Sequence, residues 1–151
     1  MKSEPGECSI DDVLAAAKRT VPWTGVRNYT ARNFMRDAMR VGDGVLFHHS
    51  SCEVPGIAGL AEIASAAYPD PTQFDRASDY YDPKAVRDAP RWFLVDVRAL
   101  RKTRVIGLAE LRAQPALAGM QVLQRGNRLS VMPVAPAEWK YITTRLLDRA
   151  K

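Results

Sequence analysis

The chain has 151 residues, 46% hydrophobic and 26% charged, with a formal net charge of +5; this length fits one domain, residues 1–151, burying about two-thirds of the surface its unfolded form exposes. No apolar run approaches the ~20 residues of a membrane span, and Met1-Lys2-Ser3-Glu4-Pro5 has no apolar stretch behind its lysine, so no membrane partner and no cleaved secretory signal are expected, and the reading is cytoplasmic. Arginine outnumbers lysine 16 to 6, which permits a nucleic-acid partner through guanidinium forks that match phosphates and base edges, although a GC-rich genome gives the same bias without function.

Along the chain, Ser9 with Asp12 resembles a capping box, and Ile10, Val13 and Leu14 follow at helical spacing to about Lys18. A polar stretch through Pro22 leads into Trp23-Thr24-Gly25-Val26-Arg27-Asn28-Tyr29, after which Thr30 can cap a second helix from Ala31 to about Met39. Val45–His48 and Gly56–Ile63 read as neighbouring strands joined by a loop with Ser50, Ser51, Cys52 and Pro55. Gly56 and Gly59 would weaken a strand unless something approaches closely there. Tyr68 to Pro90 holds four prolines and little periodicity, and loops of that length in compact domains are functional or disordered; its aromatics favour order.

Arg91–Arg98 is the clearest strand and is expected at the centre, with Trp92 in the core. Leu108–Leu111 reads as a helical turn and Leu129–Val134 as another strand. Pro136 opens a final helix carrying Trp139, Ile142, Leu146 and Leu147, Trp139 being read as core. The sum is a mixed α/β (α+β) domain of short strands, more barrel-like than doubly wound.

The chemistry is concentrated in two segments, Trp23 to Asn33 and Tyr68 to Asp75, which carry more rings, amides, guanidinium groups and carboxylates than a turn needs. Both suit a pocket for a flat, polar ligand. Trp23 lies outside any apolar stripe and serves either as an aromatic wall or as a packing anchor. Asn28 or Asn33 can read a base edge with its paired donor and acceptor, or cap the helix. Base stacking contributes roughly 1 to 3 kcal/mol per ring, so two rings and an amide can hold one extruded base.

Cys8 and Cys52 match no zinc or redox spacing and read as two reduced thiols, while His48 and His49 would point to opposite faces of a strand. No metal and no cofactor are expected. The nucleophile elbow, the phosphate-binding P-loop, the dinucleotide glycine motif and the HExxH zinc motif are all missing. Asp70, Asp75, Asp79 and Asp82 could supply a general acid/base pair, but proline-flanked aspartates in loops more often cap turns.

Several segments resemble the EVE domain family in order along nearly the whole chain. They are Lys2-Ser3-Glu4-Pro5, Trp23 to Asn33 with Met35-Arg36, Gly42-Asp43 before Val45-Leu46-Phe47, Gly56 to Ala61, Ala67 to Asp75, Tyr81-Asp82-Pro83-Lys84, Arg91-Trp92 with Val95-Asp96-Val97, and Asn127 to Val131 with Pro133-Val134. The resemblance implies a PUA-like fold, a curved, barrel-like mixed sheet with surrounding helices, related to YTH and ASCH domains. It also implies a reader of modified bases in DNA or RNA, sometimes beside a restriction-type effector protein, with a monomer favoured.

By analogy with the YTH pattern, Ser3 and the Trp23 turn flank the pocket, Asn28 supplies an amide contact, and Arg27, Tyr29 and Asn33 stand close by. Ser50, Ser51, Tyr68, Asp70 and Gln73 line the opposite wall, and Arg128 with Ser130 approaches from the last strand. Family members usually carry a few residues before the Met-Lys-Ser-Glu-Pro run, so a shortened first strand or a late start is expected; His48 stands where tyrosine is frequent.

The reading is a non-enzymatic module that takes one modified base, a methylated or hydroxymethylated cytosine or a methylated adenine, into a Trp23-walled pocket, with arginines on the phosphate backbone. Its rivals are a nucleotide-directed hydrolase or transferase using Asp70 or Asp75 as base, and a small-molecule or interaction module using the same pocket.

Overall fold

The structure is a computed structural model that describes residues 1–147. Its centre is a five-stranded sheet made of β1 (Lys2–Ser3), β2 (Thr20–Pro22), β3 (Gly44–His49), β4 (Gly56–Ile63) and β7 (Asp96–Gly107), in the order β1-β3-β4-β7-β2. β1 runs parallel to β3 and the other pairings are antiparallel. The register shifts at Phe47/His48, between Ile57 and Gly59, and at Leu60/Ala61. Each bulge adds local twist and bends its strand, so the sheet curls into a half-barrel. β5 (Tyr68–Pro69) and β6 (Phe93–Leu94) form a separate two-stranded ribbon.

Both faces of the sheet are covered. One core gathers Ile10, Val13, Trp23, Val26, Met35, Phe47, Ala61, Ile63, Val95 and Val97. The other gathers Leu46, Ile57, Leu60, Ile106, Leu111, Leu117, Ile142 and Leu146. Neighbouring residues of β4 divide these sets, Ala58 facing the first core and Ile57 the second; past the register shift Ala61 faces the first and Leu60 the second. Gly56 and Gly59 mark the expected crowding. A Cβ at Gly56 would collide with the Ile106 carbonyl oxygen, and one at Gly59 would lie 2.5 Å from the Ile10 side chain.

α1 (Ile10–Ala15) begins where the sequence places it, with a reciprocal Ser9/Asp12 capping box. It ends before Lys18, which takes a positive φ of 55° in the short turn that follows. α2 (Tyr29–Asn33) starts two residues before the expected position: Asn28, not Thr30, is its cap, accepting the Ala31 N–H at 3.1 Å. A π-helical turn, Phe34–Ala38, continues it.

Two strand expectations are corrected. The Arg91–Arg98 segment divides between β6 and β7, and β7 runs on to Gly107 through a stretch with no apolar alternation. Leu129–Val134 forms no strand; it is tied to the sheet by the Lys2 N–H, which donates to the Ser130 carbonyl at 2.7 Å. α3 (Leu108–Arg112) and α4 (Pro136–Tyr141) cover the second core. Trp139 is half-buried over Gly44, where a Cβ would meet its ring at 2.6 Å, rather than fully in the core. Among the described residues no helix is long and apolar enough to cross a membrane.

Candidate functional site

The Trp23 turn is built by backbone geometry at the end of β2. The Trp23 N–H donates to the Val95 carbonyl at 3.0 Å, and Gly25 takes a φ of +86°, a conformation costly for any residue with a Cβ. The Tyr80 ring occupies the space a Gly25 Cβ would need, 2.6 Å away. The Trp23 indole is 7% exposed and stands edge-on to Phe47, with centroids 5.5 Å apart. Its bulk is therefore a packing anchor whose margin reaches the surface as a wall.

Beneath this turn lies a polar hub. Asp70 is fully buried, caps the short helical turn Pro71–Phe74, and accepts hydrogen bonds from the Gly25 N–H at 2.8 Å, Arg27 Nη1 at 3.2 Å, the Thr72 N–H at 2.8 Å and the Thr72 hydroxyl at 2.5 Å. Arg27 also donates to the Val26 and Tyr80 carbonyls and to the Thr72 hydroxyl. Gln73, equally buried, accepts from the Arg91 and Trp92 N–H groups and donates to the Asp70 and Trp92 carbonyls. These four bonds use the full capacity of its amide. Asp75 and Asp82 accept the Ala77 and Lys84 N–H groups two residues on, as turn-capping aspartates do, and Asp82 also takes the Trp92 indole N–H at 2.8 Å.

Above the turn opens a cleft of about 700 Å³, within the ~300–1,000 Å³ typical of small-ligand sites. Five of the residues singled out by sequence meet there: Ser3, Trp23, Ser50, Arg128 and Ser130. Lys2, Glu4, Glu7, Cys8, Thr24, Val26 and Tyr80 complete most of its lining. Glu7 and Tyr80 have no local signature and are joined only by the fold, the Tyr80 hydroxyl donating to Glu7 Oε1 at 3.0 Å. Burial, then this bond and the carboxylate's charge, pushes the Tyr80 phenol up, keeping it a donor. Partial burial pushes the Lys2 ammonium down, and burial with the Asp12 and Glu7 carboxylates pushes the Cys8 thiol up.

The remaining sequence candidates lie elsewhere. Asp70 and Gln73 are buried supports rather than lining, and Arg27 spends its donors within the hub. The Asn28 side-chain oxygen is committed to the helix cap. Ser51 is exposed in the β3–β4 loop at a φ of 53°. Tyr68 donates to Asp96 at 2.6 Å; burial, with that bond, pushes its phenol up to about 12. Tyr29 and Asn33 sit on the outer side of α2. A second groove, about 630 Å³ between Phe34, Met39, Gly44, Leu100, Met132 and Trp139, is largely apolar and holds none of the candidates. Among the described residues no three His, Cys, Asp or Glu side chains converge as a metal site.

Comparison with known proteins places this geometry in context. A family model of the EVE domain matches residues 1–145. Thymocyte nuclear protein 1 of Homo sapiens is 43% identical over 159 residues, covering 94% of this chain and 70% of that protein. A solved protein from Pseudomonas putida is 50% identical with a TM-score of 0.88, covering 95% of both chains. The human THYN1 protein, solved in complex with 5-methylcytosine-containing DNA, is 42% identical with a TM-score of 0.88, covering 94% of this chain and 92% of its own.

Proposed function

The chain belongs to the EVE domain family, and from that premise we propose that it is a non-enzymatic DNA-binding module that reads one modified base in the Trp23-walled cleft. The observation that carries the reading is the complex of the human relative with 5-methylcytosine-containing DNA, at a TM-score of 0.88 over 94% of this chain. The cleft suits the role. A base that leaves the stack needs an apolar wall and a few fixed polar groups, which Trp23 with the Ser3, Ser50 and Ser130 hydroxyls would supply. Glu7 adds an acceptor of the kind that takes an exocyclic amine, and Arg128 and Lys2 add positive charge for a phosphate.

The test is affinity for matched duplexes carrying 5-methylcytosine, 5-hydroxymethylcytosine, N6-methyladenine or no modification, at one stated salt concentration. One modified duplex is expected to bind about tenfold tighter than the plain one, a difference of ~1.4 kcal/mol. Because Trp23 is also core, the cleft is better probed by Ser50→Tyr, which fills it from the rim and should abolish the preference. Equal affinity for every duplex would overturn the reading.

A further inference from the structure

Tyr29, Asn33 and their neighbouring arginines lie outside the cleft but form a structure of their own. The arginine–ring contacts among the described residues all lie within or between two segments, residues 27–36 and 74–93. Arg27 lies 5.4 Å from the Trp92 ring centroid and 5.6 Å from that of Tyr80; Arg32 is 4.6 Å from Tyr29, Arg36 is 5.8 Å from Phe93, and Arg87 is 4.9 Å from Phe74. Tyr29 in turn stacks on Trp92 at 4.7 Å with 20° between the planes. A buried indole, a phenol ring 49% exposed and a guanidinium thus lie in contact from core to surface.

The outermost of these groups is held in orientation. Arg32 donates from Nη1 to the Arg91 carbonyl at 2.8 Å, and from Nε and Nη2 to Asn33 Oδ1 at 3.1 and 2.8 Å. Arg36 donates to Asp37 from Nε and Nη2, an exposed pair that water and salt screen. Folding gains little from arginines fixed in this way. A guanidinium lying on a ring has already lost its side-chain freedom, and of the five N–H bonds each one carries, Arg32 keeps those that Asn33 and the Arg91 carbonyl do not take and Arg36 keeps both on Nη1, available to the non-bridging oxygens of a phosphate. Of the carboxylates in or beside these segments, Asp37 is paired with Arg36, Asp82 takes the Trp92 indole and the Lys84 N–H, and Asp75 takes the Ala77 N–H; Asp79 and Asp88 are set against seven arginines and one lysine, Arg27, Arg32, Arg36, Arg76, Lys84, Arg87, Arg91 and the neighbouring Arg40. The ridge also begins at the cleft, because Arg27 holds the carbonyl of Tyr80, and Tyr80 and Val26 line the opening.

We propose that this arginine–aromatic ridge, with Arg32 and Arg36 as its contact points, grips the sugar–phosphate backbone of the strand whose base enters the cleft. The inference rests on the reading of the cleft given above. It assigns the ridge affinity and register, and leaves base choice to the cleft.

The experiment uses the full chain, with R32Q, R36Q, the double variant and R101Q, an exposed arginine on β7, as control. Binding to a plain and a 5-methylcytosine duplex is titrated between about 50 and 200 mM salt. Each lost phosphate contact lowers the slope of log affinity against log salt by about 0.9. The double variant is therefore expected to lose roughly 2 in slope, with affinity for both duplexes falling by the same factor and their ratio unchanged. R36Q alone should lose about 1, and it guards against misfolding of R32Q because Arg36 makes no buried bond. A slope unchanged in R36Q and the double variant, or a loss no larger than that of R101Q, overturns the ridge. A slope loss in the variants with no base preference in the unaltered chain supports the ridge and counts against the cleft.

Discussion

The Asp70 carboxylate accepts the Gly25 N–H at 2.8 Å across 45 residues of chain. This bond joins the Trp23 turn to the Tyr68–Asp75 segment, and the same oxygen takes Arg27 at 3.2 Å. The two segments richest in polar and aromatic side chains are therefore joined through one buried polar hub.

Asp70→Ala should destabilise the protein by about 3 kcal/mol, because the Gly25 N–H and the Arg27 guanidinium lose a buried acceptor. Arg27 keeps 22% side-chain exposure and so recovers part of its solvation. Denaturant unfolding checks this. A loss below ~1 kcal/mol would show that the turn stands without the carboxylate.

Gln73→Leu leaves the Arg91 and Trp92 N–H groups without the acceptor they share. A cost of about 2 kcal/mol is expected for these orphaned donors. Since Trp92 carries the Tyr29 stack, the near-ultraviolet circular dichroism should change with it, whereas an unchanged spectrum would separate the amide from the stack.

His48 is 5% exposed, with neither ring nitrogen bonded among the described residues. Burial, helped by the terminal ammonium and Lys2, pushes its pKa down to about 4. The unfolded chain takes up this proton near pH 6.5 and the folded one only near 4. Stability from this group is complete above 6.5 and is lost as pH falls through that window, by about 3 kcal/mol in all. Melting temperatures of the protein and of His48→Leu between pH 7 and pH 4 test it: the variant's profile should be flatter, and parallel profiles would refute the assignment.

Cys52 is exposed and Cys8 is half-buried with its thiol pushed up. An alkylating reagent at neutral pH should modify Cys52 at least about tenfold faster than Cys8, as read by mass spectrometry over time. DNA in the cleft should slow Cys8 further, because Cys8 lines it.

What the sequence disclosed followed from how local each signal is. The Ser9/Asp12 capping box spans four residues and is complete in itself, so the start of α1 is legible. β3 and β4 are legible because burial on both faces leaves near-continuous apolar runs. The outer half of β7 is not, because Leu100, Arg101, Lys102, Arg104 and Val105 are all exposed and the strand is held there by its ladder to β4 rather than by an alternating face.

The same distinction divides the candidate site. Trp23 stands out by its own chemistry, Ser3, Ser50, Arg128 and Ser130 through the family resemblance, and all five converge on the cleft. Glu7 and Tyr80 are separated by 73 residues and meet only when the loop after Phe74 folds back over Gly25. Asn28 shows the limit of reading a residue type: its amide suits a base edge and a helix cap equally, and only the fold, which starts α2 two residues early, gives its oxygen to the cap.

The half-barrel also acts as a partition. The cleft and the ridge draw on the core that holds Trp23, Phe47 and Val95, while α3, α4 and the turns Pro115–Leu117 and Gln121–Leu123 rest on the opposite core. Opening of that second layer need not disturb the first, so hydrogen exchange should resolve two units of different protection with β4 and β7 as their shared boundary. Such insulation makes the α3–α4 side the place to attach a label or a fused enzyme while the cleft and the ridge keep their shape.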